Sequence, residues 1–182
     1  IISENVISKH KFTKDLSFLV SKNPYLSYAK ILNIFYPDDK SSRKDKKKNI
    51  VVSNSSDVSN NVDLKSNVSI GDNTEISASS SITGNTSIGK NNRIFSFCSI
   101  GSIPQDLKFS GEESFVKIGD SNTFREFCTI NSGTEGGGYN TIIGNKSLFM
   151  TAVHIAHDCI VGNKVIMANQ ATLGGHVIVE DN

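Results

Sequence analysis

The sequence predicts an all-β solenoid, a parallel β-helix of hexapeptide repeats, with a short α-helical N-terminal segment. The first observation is a period of six. Aliphatic residues stand at Val52, Val58, Leu64, Ile70, Ile76, Ile82, Ile88, Ile94 and Ile100. The register resumes at Ile118, Phe124 and Ile130. It then returns one residue out of phase at Ile143, Phe149, Ile155, Val161, Met167, Leu173 and Val179. The second observation is a small or short residue four positions after each aliphatic, as at Ser56, Val62, Val68, Thr74, Ser80 and Thr86. The third is the Asn, Asp, Gly and Ser between them, which favour tight corners. Period six is not helical, but it holds three strand repeats. One short strand plus one corner satisfies it. Three such units close an 18-residue coil, and stacked coils pair as parallel strands roughly 4.8 Å apart. The spacing leaves the hand of the coil open.

The N-terminal residues 1–37 read differently. Leu16-Ser17-Phe18-Leu19-Val20 is a short apolar run compatible with a strand. Asn23-Pro24 predicts a helix start, with Asn as the cap and Pro at the first helical position. Leu26, Ala29 and Leu32 share one face of that helix, Ile31 and Phe35 add apolar bulk, and Pro37 ends it. The piece is too small to bury a core of its own. Residues 38–48, DDKSSRKDKKK, form a charge run. Asp38, Asp39 and Asp45 interrupt its basic charge, so a solvated linker over 38–49 is preferred to a phosphate-binding patch. The solenoid then occupies 50–182. A first residue Ile1 and an end at Asn182 in mid-pattern lead us to expect a longer parent protein, truncated here at the C-terminus.

Composition narrows the function classes. The 19 basic and 18 acidic residues nearly cancel, which argues against a strongly basic nucleic-acid binder. No apolar run approaches the ~18 residues of a membrane span, and no signal peptide stands out. The three cysteines, Cys98, Cys128 and Cys159, all fall in the small slot of the repeat. They read as core residues rather than as redox or metal groups, in keeping with a reducing, cytoplasmic setting.

Two excursions break the repeat, at Ser102–Lys117 and Asn131–Thr141. Asp106 and Glu112 fall where aliphatics are required, so the first must leave the coil. The second carries Gly136-Gly137-Gly138, which lets backbone approach a ligand or a neighbouring chain. Beyond them, three of the four histidines fall within 23 residues: His154, His157 and His176. The 18-residue coil sets His176 over Asp158 and Gly175 over His157. A surface cluster of three histidines with a carboxylate suits a general base tuned by an acidic neighbour. Zinc binding by three imidazoles and plain solvated histidines are the alternatives.

The motifs GSIPQDLKFSGE, TINSGTEGGG, HIAHDCIVGN and ATLGGH, in order over Ile100–Asn182, resemble the UDP-N-acetylglucosamine O-acyltransferase family of lipid A synthesis. Residues 17–37, SFLVSKNPYLSYAKILNIFYP, instead resemble the end of the uridine-binding domain of the pathway's UDP-3-O-acylglucosamine N-acyltransferase. The first resemblance implies a left-handed β-helix and a cytoplasmic homotrimer with active sites between subunits. It implies transfer of a 3-hydroxyacyl chain from acyl carrier protein to the sugar 3-hydroxyl, with no metal or cofactor, since a thioester is already activated. His157 matches the family's general base, Asp158 its orienting carboxylate and Gly175 the amide that stabilises the oxyanion. His154 and His176 match substrate-holding positions. Gln105, Asp106 and Lys108 match the loop that contacts the nucleotide sugar, with Lys108 placed for a phosphate.

Two departures accompany the resemblance. Ser132 stands where the family commonly has a basic residue. The family's later coils and C-terminal helical domain, which grip uridine and measure acyl length, lie beyond Asn182, so we expect weak or absent activity from this stretch alone. Competing readings are the N-acyltransferase, a γ-type carbonic anhydrase that uses three histidines on zinc, and a non-catalytic solenoid fragment.

Overall fold

The computed structural model describes residues 19–35 and 49–182. The chain divides into two units between Lys44 and Asp45. In the first, helix α1 spans Pro24–Phe35. It starts as its sequence requires: Asn23 Oδ1 accepts the Leu26 N–H at 3.1 Å, and the Asn23 carbonyl accepts the Ser27 N–H. Leu26 is half exposed. The side chains of Ala29 and Leu32, most of the 16–20 run and the charge run at 38–48 lie outside the described residues.

The second unit is three parallel sheets visited in rotation. The first sheet holds β1 (Ile50–Val52), β4 (Val68–Ile70), β7 (Asn85–Ile88), β10 (Phe115–Ile118), β13 (Asn140–Ile143), β16 (Ile160–Val161) and β19 (Ile178–Val179). The second holds β2 (Asp57–Val58), β5 (Glu75–Ile76), β8 (Arg93–Ile94), β11 (Thr123–Phe124), β14 (Leu148–Phe149) and β17 (Ile166–Met167). The third holds β3 (Asp63–Leu64), β6 (Ser81–Ile82), β9 (Ser99–Ser102), β12 (Thr129–Asn131), β15 (His154–Ile155) and β18 (Thr172–Leu173). Each strand pairs with the third strand on, as Ile70 opposite Ile88 and Ile155 opposite Leu173 show. Only at the excursions does the register jump, to Ile88 opposite Ile118 and Ile118 opposite Ile143.

The period-six residues fill the interior. Ile76, Ile82, Ile94, Ile100, Ile130, Ile143 and Ile155 are buried, and Phe124 stacks on Phe149 with ring centres 4.8 Å apart. The three free cysteines are buried in their small slots. Burial raises the Cys159 thiol above its usual pKa, so it carries no thiolate at neutral pH. Asn92 and Asn122 occupy the same kind of slot, fully buried, and continue a polar ladder. The Asn92 Oδ1 accepts the Asn122 N–H at 2.9 Å, and the Asn122 Oδ1 accepts the Ser147 N–H at 2.9 Å. Each Nδ2 donates to a carbonyl of the next coil, Gly119 and Gly144 respectively.

Corner chemistry departs from expectation. At most corners from Ile70 onward the residue three past the inward aliphatic takes positive φ; after Ile82, Ile100 and Ile130, where the chain turns from the third sheet to the first, it does not. Asn73, Ser79 and Asn91 suit that conformation, but so placed are Phe97 (φ 65°), Phe127 (φ 64°), Lys146 and Lys164. The stacked frame imposes the left-handed corner whatever residue arrives there, at a local cost that coil packing offsets. Phe97 and Phe127 recover part of that cost by stacking at 5.2 Å.

Candidate functional site

Both excursions leave at the same corner, between the third sheet and the first. The first runs from the end of β9 to β10, so Phe115–Lys117, expected outside the coil, belong to a strand. The second runs from β12 to β13, so Asn131, Asn140 and Thr141 are strand residues, and Glu135–Gly137 form a 3-10 turn between them. Coil stacking therefore sets the loops side by side, and short bonds tie them together. Asn131 Nδ2 donates to the Ile103 carbonyl at 3.1 Å, and Ser114 Oγ donates to Ser132 Oγ at 2.8 Å. Ser132 is thus buried against the neighbouring loop rather than offered to solvent as a basic residue would be. Glu112 accepts the Glu135 N–H at 3.2 Å and the Ser110 N–H at 2.9 Å. The backbone N–H donors of Glu112 itself, Ser110 and Glu135 hold this carboxyl below the usual carboxylate range.

The next two coils bring His157, Asp158, Gly175 and His176 to that same corner. His157 Nδ1 lies 2.8 Å from Asp158 Oδ2, and His176 Nδ1 lies 3.9 Å from the same oxygen. The imidazole rings of His157 and His176 meet edge to face at 5.0 Å. Gly175 lies against His157 so closely that a Cβ would come within 2.4 Å of Cε1. The stacking of 18 residues per coil thus places Asp158 by His176 and His157 by Gly175.

Two expectations need correction. The cluster is not a surface one: the Asp158 side chain is 0% exposed and that of His157 14%, while only His176 is open at 53%. The three histidines do not converge. His154 sits on β15 one register position from the corner, where its Nδ1 is 2.7 Å from Thr129 Oγ1. Burial lowers its pKa below the ordinary histidine value, so it is neutral at pH 7. The ligand atoms that lie within 4.8 Å of one another are those of His157, Asp158 and His176, without His154. Gln105 is exposed on the first loop and does not line the adjoining cleft.

That cleft, about 460 Å³, is lined by Asp106, Lys108, Glu112, Thr134, Glu135, Gly136 and His176. Asp106 Oδ1 accepts the Lys108 N–H at 2.9 Å and shapes the loop beneath the lysine. Sequence reasoning missed Thr134, Thr141, Glu112 and Glu135. Thr134 donates its N–H to Asp158 Oδ1 at 2.8 Å and its hydroxyl to Oδ2 at 2.5 Å. Thr141 Oγ1 accepts the Asp158 N–H at 2.9 Å. Thr134 and Glu135 lie within TINSGTEGGG, but nothing in their spacing singles them out, because the partner carboxylates arrive from other coils.

The fold and site together define a parallel hexapeptide-repeat coil with a histidine–carboxylate pair at one corner, beneath two loops. Comparison with known proteins narrows that class. No family model matches the chain. The acyl-[acyl-carrier-protein]–UDP-N-acetylglucosamine O-acyltransferase of Paracoccus denitrificans is 52% identical over 89 residues, 49% of this chain and 34% of that protein. The protein of the same name from Aliarcobacter butzleri is 58% identical over 88 residues, 48% of this chain and 34% of that one. Among solved structures, UDP-N-acetylglucosamine acyltransferase from Campylobacter jejuni matches with TM-score 0.63 and 39% identity, covering 71% of this chain and 53% of that one. The Bacteroides fragilis enzyme matches with TM-score 0.57 and 38% identity, covering 74% and 55%. The chain resembles these acyltransferases, and it spans about a third of the length of the curated relatives it matches.

Proposed function

We propose that this chain carries the catalytic corner of an acyl-[acyl-carrier-protein]–UDP-N-acetylglucosamine O-acyltransferase, which performs the first step of lipid A biosynthesis. The observation that carries the reading is the His157–Asp158 pair set against Gly175 beside the Lys108 cleft. With Nδ1–H directed to Asp158, His157 Nε2 is the free basic nitrogen. It takes the proton of the sugar 3-hydroxyl as that oxygen attacks the thioester carbon of a 3-hydroxyacyl acyl carrier protein. The carbonyl oxygen becomes an oxyanion, stabilised by the Gly175 N–H. Collapse breaks the carbon–sulfur bond, and the proton on His157 passes to the departing thiolate. General-base catalysis of this kind is worth roughly 10²–10⁴-fold.

In this reading Asp106 and Lys108 meet the nucleotide sugar, Lys108 as a point charge for phosphate. His154 and His176 line the substrate path, and Gln105, exposed on the same loop as Lys108, adds a contact to the sugar nucleotide. No metal is required, because the thioester is an activated acyl donor. The coil is left-handed, against the usual right-handed crossover, and three copies assemble into a cytoplasmic homotrimer. Among the described residues no helix is long and apolar enough to cross a membrane.

The test is a mass-spectrometric acylation assay. It offers 3-hydroxyacyl acyl carrier protein with either UDP-N-acetylglucosamine or its 3-O-acylated, deacetylated glucosamine derivative. We expect acylation of the first acceptor, weak from this stretch alone, and its loss in His157→Ala. Acylation of only the second assigns the chain to the N-acyltransferase reaction, and unchanged turnover in His157→Ala refutes the base assignment.

A further inference from the structure

We infer that Thr134 is a positioning residue for His157: by donating to both oxygens of Asp158 it fixes the orientation of that acceptor carboxylate, whose Oδ2 then holds the imidazole proton on Nδ1. The inference rests on the reading of His157 as the base and adds the residue that prepares it.

The argument begins with the local turn. Thr134 stands at the N-cap of the 3-10 turn Glu135–Gly137, where a threonine hydroxyl ordinarily accepts a backbone N–H of the turn. Here it makes no such bond. The turn instead closes on the Thr134 carbonyl, which accepts the Gly137 N–H at 3.2 Å and the Tyr139 N–H at 2.8 Å. That leaves both the N–H and the O–H of Thr134 aimed at Asp158, at 2.8 and 2.5 Å. Gly137 completes the seat: a Cβ there would come within 2.0 Å of Asp158 Cγ, so only glycine lets the turn lie on the carboxylate. From below, Thr141 fixes the Asp158 backbone.

The consequence for His157 follows from donor and acceptor counting. An ionised carboxylate has no hydrogen to donate, so any further partner of the one that Thr134 holds in place must itself be the donor. At 2.8 Å that partner is His157 Nδ1, which must therefore carry the proton. His176, at 3.9 Å, is too far to compete for the same oxygen. Among the described residues His157 Nε2 has no hydrogen-bond partner, so the basic nitrogen stays open to substrate. The other charged groups of the cleft, Asp106, Lys108, Glu112 and Glu135, lie on the loops, and neither Glu112 nor Asp106 bonds His157.

Two variants separate the hydroxyl from the bulk of the side chain. Thr134→Val keeps shape and the backbone N–H but removes the hydroxyl, and Thr134→Ser restores it. The protein is labelled with ¹⁵N-histidine, and long-range proton–nitrogen spectra read the tautomer of each ring. Wild type and Thr134→Ser should hold His157 with its proton on Nδ1, whereas Thr134→Val should show a mixture with Nε2–H. In the acylation assay Thr134→Val should lower kcat about 10–100-fold, the range for losing a group that orients a functional side chain, with KM for the nucleotide sugar little changed and Thr134→Ser near wild type. An Nε2–H tautomer in the wild type overturns the inference, whatever the variants do. So does a Thr134→Val protein that retains pure Nδ1–H and full kcat, even where His157→Ala abolishes transfer. If no transfer is seen in any form, the catalytic reading fails, and the tautomer alone decides the role of Thr134.

Discussion

Asp158 is held from three directions by groups that lie up to 24 residues away in sequence, and His157 inherits its orientation from that grip. The imidazole therefore has little room to adjust to a new neighbour. Gly175→Ala tests this directly, since the added Cβ would stand 2.4 Å from the ring carbon Cε1. We expect kcat to fall by about 100-fold or more, consistent with the cost of misplacing a catalytic group by an ångström, while circular dichroism stays unchanged. A variant of normal turnover would mean that the ring is mobile and that close packing at Gly175 is incidental. The pairing of Asp158 with His176 was legible from the coil length alone. The burial of Asp158 was not, because it depends on a turn laid over it from the preceding coil.

At the level of the element, the excursions explain why one corner holds the chemistry. A regular coil offers hydrogen-bonded backbone and short side chains, and a cleft needs walls. Inserting both loops at the same corner of adjacent coils supplies walls at the cost of one register shift, between Ile130 and Asn131, and the pairing resumes in full at β10 and β13. The coils flanking these insertions are secured by the Asn92–Asn122–Ser147 ladder. Asn122→Leu keeps much of the volume but orphans the Gly144 carbonyl and the Ser147 N–H. Each buried orphan costs about 1–3 kcal/mol, so urea unfolding should show a loss on the order of 3 kcal/mol. A change below about 1 kcal/mol would show that water replaces the amide. The period-six pattern located this slot as small. It did not reveal that its occupants are polar by necessity, since the carbonyls they satisfy belong to other coils.

Over the whole molecule, each coil touches only its neighbours, so stability varies along the stack. The inward residues of the central coils are buried, whereas Val52, Val58 and Leu64 at one end and Leu173 and Val179 at the other are only partly so. Hydrogen exchange of the 182-residue chain should therefore show strongest protection in β8–β15 and fraying at β1–β3 and β17–β19. Uniform protection would contradict nearest-neighbour stability, and so would weakest protection at the centre. The site lies across the third to sixth coils, so His157 and Asp158 draw on the more rigid part of the stack while Gly175 and His176, between β18 and β19, sit at its fraying edge.

The sequence by itself determined the repeat, its 18-residue coil, the inward ladders, the structural place of the three cysteines and the meeting of His157, Asp158, Gly175 and His176. These follow from period and stacking, which are linear properties. Tertiary structure decided the rest. It set the separation of His154 from the other histidines, the exposure of Gln105, the left-handed corners at Phe97 and Phe127, and the grip of Thr134 on Asp158. The physical reason is common to all of them. Hydrogen bonds and steric limits across coils depend on which residues the two insertions bring alongside each other, and no period in the chain encodes where an irregular loop will lie.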